Sequence, residues 1–224
     1  MLRSISCNVY ITYTSFFCGG LSLLAGENGI LAYHIDDPLE QINQAQHGAH
    51  YIIIYPNLDT LRELLYSNYI NKQIEENNEI VLINPFYETT GSVRQVLSKK
   101  YNNDINDVSK HEQEKSLIIA DALKRYFGEQ NIDDRSFKMS LVDHAKKIGR
   151  SGISILGDMG TYNHKSKHEE LVDYELSLPT KYGDGIALKG FCLYHKKDFE
   201  TFSEKQKQKL VEHHGKALKL VESQ

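Results

Sequence analysis

The chain has 224 residues, 40% hydrophobic and 25% charged, with 26 Lys and Arg against 30 Asp and Glu. These values are ordinary for a globular protein and exclude a collagen-like chain, a disulfide scaffold and full disorder. The formal charge of −4 argues against a surface that grips nucleic acid all over, and the three widely spaced cysteines, Cys7, Cys18 and Cys192, make neither a disulfide framework nor a CxxC metal site, so a reducing, cytoplasmic setting is expected.

Residues 1–27 read as an N-terminal extension. No charge occurs from Ser4 to Gly26, which suits a signal or a membrane anchor. The run is diluted by Ser, Asn, Thr and the pair Gly19-Gly20, and SISCNVYITYTS alternates like a strand. A signal, an anchor and a stretch ahead of the true start all stay open. Residues 28–224 read as one domain. ILAYHI is a short apolar run, broken at Pro38 and followed by a short polar helix. HYIIIY, from His50 to Tyr55, is continuously apolar and closed by Pro56, as expected of a strand buried on both faces. Thr60-Leu-Arg-Glu63 has capping-box spacing, and Leu58, Leu61 and Leu65 then share one helix face. EIVLINPF is a second buried strand. A helix over 92–100 and a polar connection over 101–115, with room for a helix, come next. SLIIADALKRYF begins as strand and ends as helix. Phe137, Leu141, Ala145 and Ile148 line a helix that stops near Gly149. GISILGD is a third strand, and a helix carrying Leu171, Tyr174 and Leu176 ends at Pro179. IALKGFCLYH is a further strand. Ser203-Glu-Lys-Gln206 is a second capping box, opening a last helix through Leu210, Val211, His214 and Leu218. Helices alternating with continuously apolar strands predict an α/β three-layer sandwich, a mostly parallel sheet with helices on both faces.

Several chemistries lack their motifs. A P-loop needs glycines that turn backbone N–H groups onto phosphate and a lysine to hold the charge. The turn after the first buried strand is Pro56-Asn57-Leu58-Asp59-Thr60, with neither, and no GxGxxG occurs. ISILGD, ending in Asp158, does look like the metal-holding strand of P-loop enzymes. His164 and His168 are spaced to share a helix face, but HKSKH lacks the glutamate of HExxH. Cys192, His195, His213 and His214 form the other cluster of ligand-type residues. Along a strand Cys192 and Tyr194 face one way and His195 the other, and His214 reads as a core histidine. No metal and no cofactor are expected. No GxSxG, helix-turn-helix or RRM signature occurs. The lysines of the last 30 residues are interrupted by Glu200, Glu204 and Glu212, which reads as a solvated helix face, with no direct nucleic-acid partner.

Four blocks in order, ISILGDMGTY, LVDYELSL, KGFCLYHKKDF and HHGKAL, preceded by His50 with YIIIY and by EIVLINPFYET, resemble the DcmR-like sensory domain, also called MEDS, over about residues 46–221. The resemblance implies a RecA-like, circadian-clock-ATPase-like fold that has lost its P-loop. It further implies a sensor of small molecules, hydrocarbon derivatives among them, that works with a histidine kinase or a transcriptional regulator. This chain departs from that pattern in having no room for an attached output module, so a separate partner or a homodimer would carry the signal.

Ligands of open α/β sheets bind at the carboxyl ends of the strands. The residues expected there are Tyr55, Pro85, Tyr87, Glu88, Asp158, Met159, Tyr162, Tyr194 and His195, a mix of aromatic walls and few polar groups that suits a small, partly apolar molecule. Arg94 and Glu175 are expected to hold the pocket in shape through a charge pair, and Cys192 is counted with the ligand-binding set. The expected function is a non-catalytic sensory domain. The alternatives are an enzyme using Cys192 or Asp158 with His195, which requires those side chains to converge, and a dimeric interaction scaffold.

Overall fold

The computed structural model describes residues 21–25, 31–35, 37–100, 105–128, 134–183 and 186–221. The chain divides into two compact units, 1–37 and 38–224. In the first, Leu21–Ala25 (β1) and Leu31–Ile35 (β2) pair antiparallel, Leu21 opposite Ile35. The SISCNVYITYTS segment lies outside the described residues.

The second unit holds a six-stranded parallel sheet. Its strands are His50–Tyr55 (β3), Glu79–Asn84 (β4), Leu117–Ile119 (β5), Gly152–Asp158 (β6), Leu188–His195 (β7) and Ala217–Lys219 (β8), in the spatial order β5-β4-β6-β7-β3-β8. All pairings are parallel. The runs predicted as strands are β3 to β7, and β3, β4, β6 and β7 are covered on both faces; β8 is not among them. On one face Ile53, Tyr55, Val81, Ile83, Leu156, Phe191 and Leu193 pack under the rod that follows β3. That rod is Leu58–Thr60 (α2), ten residues of wider π-helical turns over Leu61–Ile70, and Asn71–Glu75 (α3). Leu61, Leu65, Tyr66 and Tyr69 are its buried stripe. Thr90–Lys100 (α4) and Ile105–Gln113 (α5) extend the layer through Val93, Leu97 and Val108. On the other face Ile52, Ile54, Cys192 and Tyr194 lie under His168–Ser177 (α9), Lys196–Thr201 (α10) and Glu204–His214 (α11), while Ile80, Leu82, Ile153 and Ile155 lie under Asp134–Lys147 (α7). The short helices Pro38–Asn43 (α1), Ala122–Phe127 (α6) and Gly160–His164 (α8) complete the unit. The architecture is the expected three-layer sandwich.

Three local expectations are corrected. The helix after β3 is capped by Asn57, whose side chain accepts the Thr60 N–H at 2.8 Å; Thr60 lies inside the helix and makes no cap. His164 and His168 do not share a helix, since Ser166 at φ 54° separates α8 from α9. The last helix stops at Gly215, in the left-handed region at φ 67°, and Leu218 belongs to β8. The second capping box is formed as expected, with both reciprocal bonds between Ser203 and Gln206. Among the described residues no helix is long and apolar enough to cross a membrane.

Candidate functional site at the carboxyl ends of the strands

Neighbouring strands β3 and β7 send their following helices to opposite faces of the sheet: α2–α3 lie on one, α10–α11 on the other. Such a switch point opens a crevice beyond the strand ends, where α/β proteins hold ligands. Tyr55 and His195 stand level there, each the last residue of its strand. Period-2 alternation puts both on the face that carries Leu193 and Leu156, and Asp158, ending β6, joins them.

The three residues form one assembly. The Tyr55 hydroxyl donates to Asp158 Oδ2 at 2.9 Å, and the Gly160 amide donates to Oδ1 at 2.9 Å. The Asp158 carboxyl is buried, and burial pushes its pKa up to about 7; the Gly160 and Tyr55 donors pull the other way, and Asp198 adds to the rise. Burial and the neighbouring carboxylate hold the Tyr55 hydroxyl well above the usual phenol range, so it acts as a donor. The His195 ring packs edge-on to Tyr55 at 5.4 Å and against Tyr87 at 5.5 Å. Tyr87, half-exposed, donates to Asp198 Oδ2 at 2.5 Å, and the other Asp198 oxygen takes Asn163 Nδ2. Gly160 is required here. A Cβ on it would lie 2.6 Å from the Tyr87 ring and 2.7 Å from Phe86, so a side chain would push this aromatic loop off Asp158. Glu88 is buried and held by Arg62, Nη2 to Oε1 at 2.6 Å. A groove of about 620 Å³ opens past Pro56 and Lys196, the residues that follow Tyr55 and His195, and is lined further by Ile54, Phe199, Lys219 and Val221 on the side of the opposite core; Tyr55, Asp158 and His195 do not line it.

Of the expected site residues, Tyr55, Tyr87, Asp158 and His195 therefore come together, with Glu88 on the adjoining loop. Met159 and Tyr162 go into the opposite core: Tyr162 stacks on Tyr174 at 5.7 Å and meets Phe127 at 4.9 Å. The expected charge pair of Arg94 with Glu175 is not formed. Arg94 on α4 binds Glu112 of α5 through Nε and Nη2, at 2.8–3.1 Å. Glu175 on α9 is fully buried and bonded to Tyr194, Cys192 and His214. Cys192 and Tyr194 thus face away from His195, and Cys192 reaches His50 instead, Nε2 to Sγ at 3.3 Å. The enzyme alternative that joins Cys192 to His195 lacks the convergence it needs. Sequence reasoning missed Asp198, Asn163, Gly160 and Arg62 at the crevice. It also missed His50, held by Pro179 O at 3.0 Å and pushed by burial down to about 4. The signal for Asp198 lay in KKDF directly after the strand, where a helix-opening acid sits at the strand end.

No protein-family model matches the chain, and no curated protein matches it. Among solved structures it is similar to a Pyrococcus horikoshii OT3 protein known from a structural study: 10% identity over 83% of this chain and 88% of that one, with a TM-score of 0.47.

Proposed function

We propose that the domain is a non-catalytic receptor for a small, partly apolar molecule, a sensory domain of the MEDS kind on a RecA-like frame without a P-loop. One observation carries this reading: the Tyr55–Asp158 hydrogen bond. In P-loop enzymes a strand-to-helix turn wraps phosphate in backbone N–H groups, and an acid at the end of another strand supports the metal ion. Here the corresponding turn carries Pro56, which has no N–H, and Asn57, whose side chain takes the Thr60 N–H. Each Asp158 oxygen already has a donor, Tyr55 or Gly160. Aromatic rings and a crevice stand where phosphate chemistry would need open donors and a free carboxylate. A molecule seated in the groove would touch β3, α10, α11 and the segment after β8 at once, and binding would favour one arrangement of α10 and α11 over others. A separate histidine kinase, a transcriptional regulator or a second copy of the chain would read that change.

The test pairs two measurements on the whole protein. Native mass spectrometry of the chain isolated from its own cells should find a retained small molecule that is lost in Tyr55→Phe. Thermal shift with ATP and Mg²⁺ should leave the melting temperature unchanged. A Mg²⁺-dependent rise, with nucleotide hydrolysis abolished by Asp158→Asn, would overturn the reading.

A further inference from the structure

We propose that His50, Glu175, Cys192 and His214 form a binding site for one divalent transition metal ion, zinc by its donor set. Each residue offers one ligand atom, the four atoms lie within 4.8 Å of one another, and all four residues are buried. They come from four elements, β3, α9, β7 and α11, on the face of the sheet opposite Tyr55 and Asp158. Three edges of the group are short: His50 Nε2 to Cys192 Sγ 3.3 Å, Sγ to Glu175 Oε2 3.2 Å, and Oε2 to His214 Nε2 3.1 Å. A tetrahedron of Zn–N, Zn–O and Zn–S bonds has edges of about 3.3–3.8 Å. Those three edges stand within about 0.5 Å of that length, and the remaining ones need contract by no more than about 1.5 Å.

Hydrogen bonds outside the cluster orient its donors. His50 Nδ1 lies 3.0 Å from Pro179 O, and His214 Nδ1 lies 2.8 Å from Leu210 O. A carbonyl only accepts, so each Nδ1 donates outward; the His50 imidazole then turns its Nε2 lone pair inward, while His214 Nε2 donates to Glu175 Oε2, since a carboxylate likewise only accepts. The Tyr194 hydroxyl donates to Glu175 Oε1 at 2.8 Å and so turns Oε2 to the same point. Two imidazole nitrogens, a carboxylate oxygen and a sulfur converge, with the Cys192 thiol proton and the His214 Nε2 proton both facing Glu175 Oε2. A cation at their centre satisfies all four. Imidazoles whose far nitrogen donates to a backbone carbonyl are the usual arrangement around a bound metal. On binding, Cys192 becomes the thiolate and His214 Nε2 gives up its proton, both protons leaving to solvent; one thiolate and one carboxylate then balance the dication, which leaves a neutral buried centre. Four protein donors make a closed set, the pattern of a structural rather than a catalytic zinc. His50 and His214 also line a surface cleft with His47 and Tyr182, which gives an ion a way in. The site stands apart from the receptor reading, and either holds if the other fails.

Cobalt is the probe. The full chain, stripped with chelator under reducing conditions, is titrated with Co²⁺ and then with Zn²⁺. The expected result is one Co²⁺ per chain, with a thiolate-to-cobalt charge-transfer band and tetrahedral visible bands, displaced by Zn²⁺. Cys192→Ser should lose the charge-transfer band, and the double variant Cys7→Ser, Cys18→Ser should keep it. Tyr194→Phe retains all four donors and should bind about 10–100-fold more weakly, a readout that survives if variants of the ligands themselves fail to fold. Wild-type protein that binds no stoichiometric Co²⁺, a charge-transfer band that persists in Cys192→Ser, or an unchanged affinity in Tyr194→Phe would each overturn the proposal.

Discussion

Burial raises the Asp158 carboxyl to about 7 from an ordinary value of 3.8, so the folded chain holds a proton that the unfolded chain has released. The sign follows from linkage: the stability this proton confers is full below about pH 4 and is lost as pH rises to about 7. His50 acts oppositely, because its lowered value makes stability rise with pH between about 4 and 6.5. The measurement that isolates Asp158 is therefore the difference in urea midpoint between wild type and Asp158→Asn across pH 4–8. Wild type should lose ground to the variant as pH rises, and a flat difference would show that the carboxyl is ionised throughout. Single residues were unevenly legible. Tyr55, Asp158 and His195 could be named because each ends an apolar run, and strand ends are where such sheets expose chemistry. Glu175 was misplaced for the opposite reason. On α9 the expected face was Leu171, Tyr174 and Leu176, whereas Leu171, Val172 and Glu175 are buried and Leu176 is exposed. The partner expected for Glu175 was Arg94, and nothing in the sequence marks its actual partners, which lie 17, 19 and 39 positions away.

Helix ends account for most of the misread elements, and they can be weighed directly. Ser203 and Gln206 each satisfy the other's backbone N–H, so Ser203→Ala should cost about 1 kcal/mol in urea unfolding. Asn57→Ala should cost a similar amount, since Asn57 rather than Thr60 caps the rod after β3. Gly215→Ala meets no atom within 4 Å, and its expected loss of about 1 kcal/mol is wholly that of a Cβ in the left-handed region. A Ser203→Ala protein as stable as wild type would remove the cap from this account. The strands were legible because a run buried on both faces needs no partner to be recognised. Leu218 was not, because Leu210, His214 and Leu218 continue a helical spacing straight through Gly215. Only the left-handed turn there sends Leu218 into the sheet core as part of β8. The wide turns over Leu61–Ile70 had no sequence signal at all, since their apolar stripe is compatible with an ordinary α-helix.

At the scale of the whole molecule, the alternation of helices and apolar strands made the three layers legible, but strand order follows from pairings far apart in sequence. The order places β8 against β3, the first strand of its unit, so the sheet is completed only when β8 arrives. Both edges of the sheet, β5 and β8, are three residues long, and β6 and β7 lie inside it with longer ladders. Stability should be graded accordingly. The Leu220 amide donates to Ile54 O at 2.9 Å at the very edge, next to exposed Val221. It should exchange with solvent through local opening, at a lower free energy than the β6 and β7 amides, which should exchange only on global unfolding. Native-state hydrogen exchange in rising urea measures both: the Leu220 amide should show a shallow denaturant dependence, the β6 and β7 amides the full one. The same segment lines the groove with Ile54, Pro56 and Lys196. A molecule that binds there restrains the loosest edge of the sheet, so protection of Leu220 should rise on binding while β6 and β7 change only by the global shift. If Leu220 is already as protected as the central strands, the edge is no weaker than the core, and the groove has no mobile element through which occupancy would be reported.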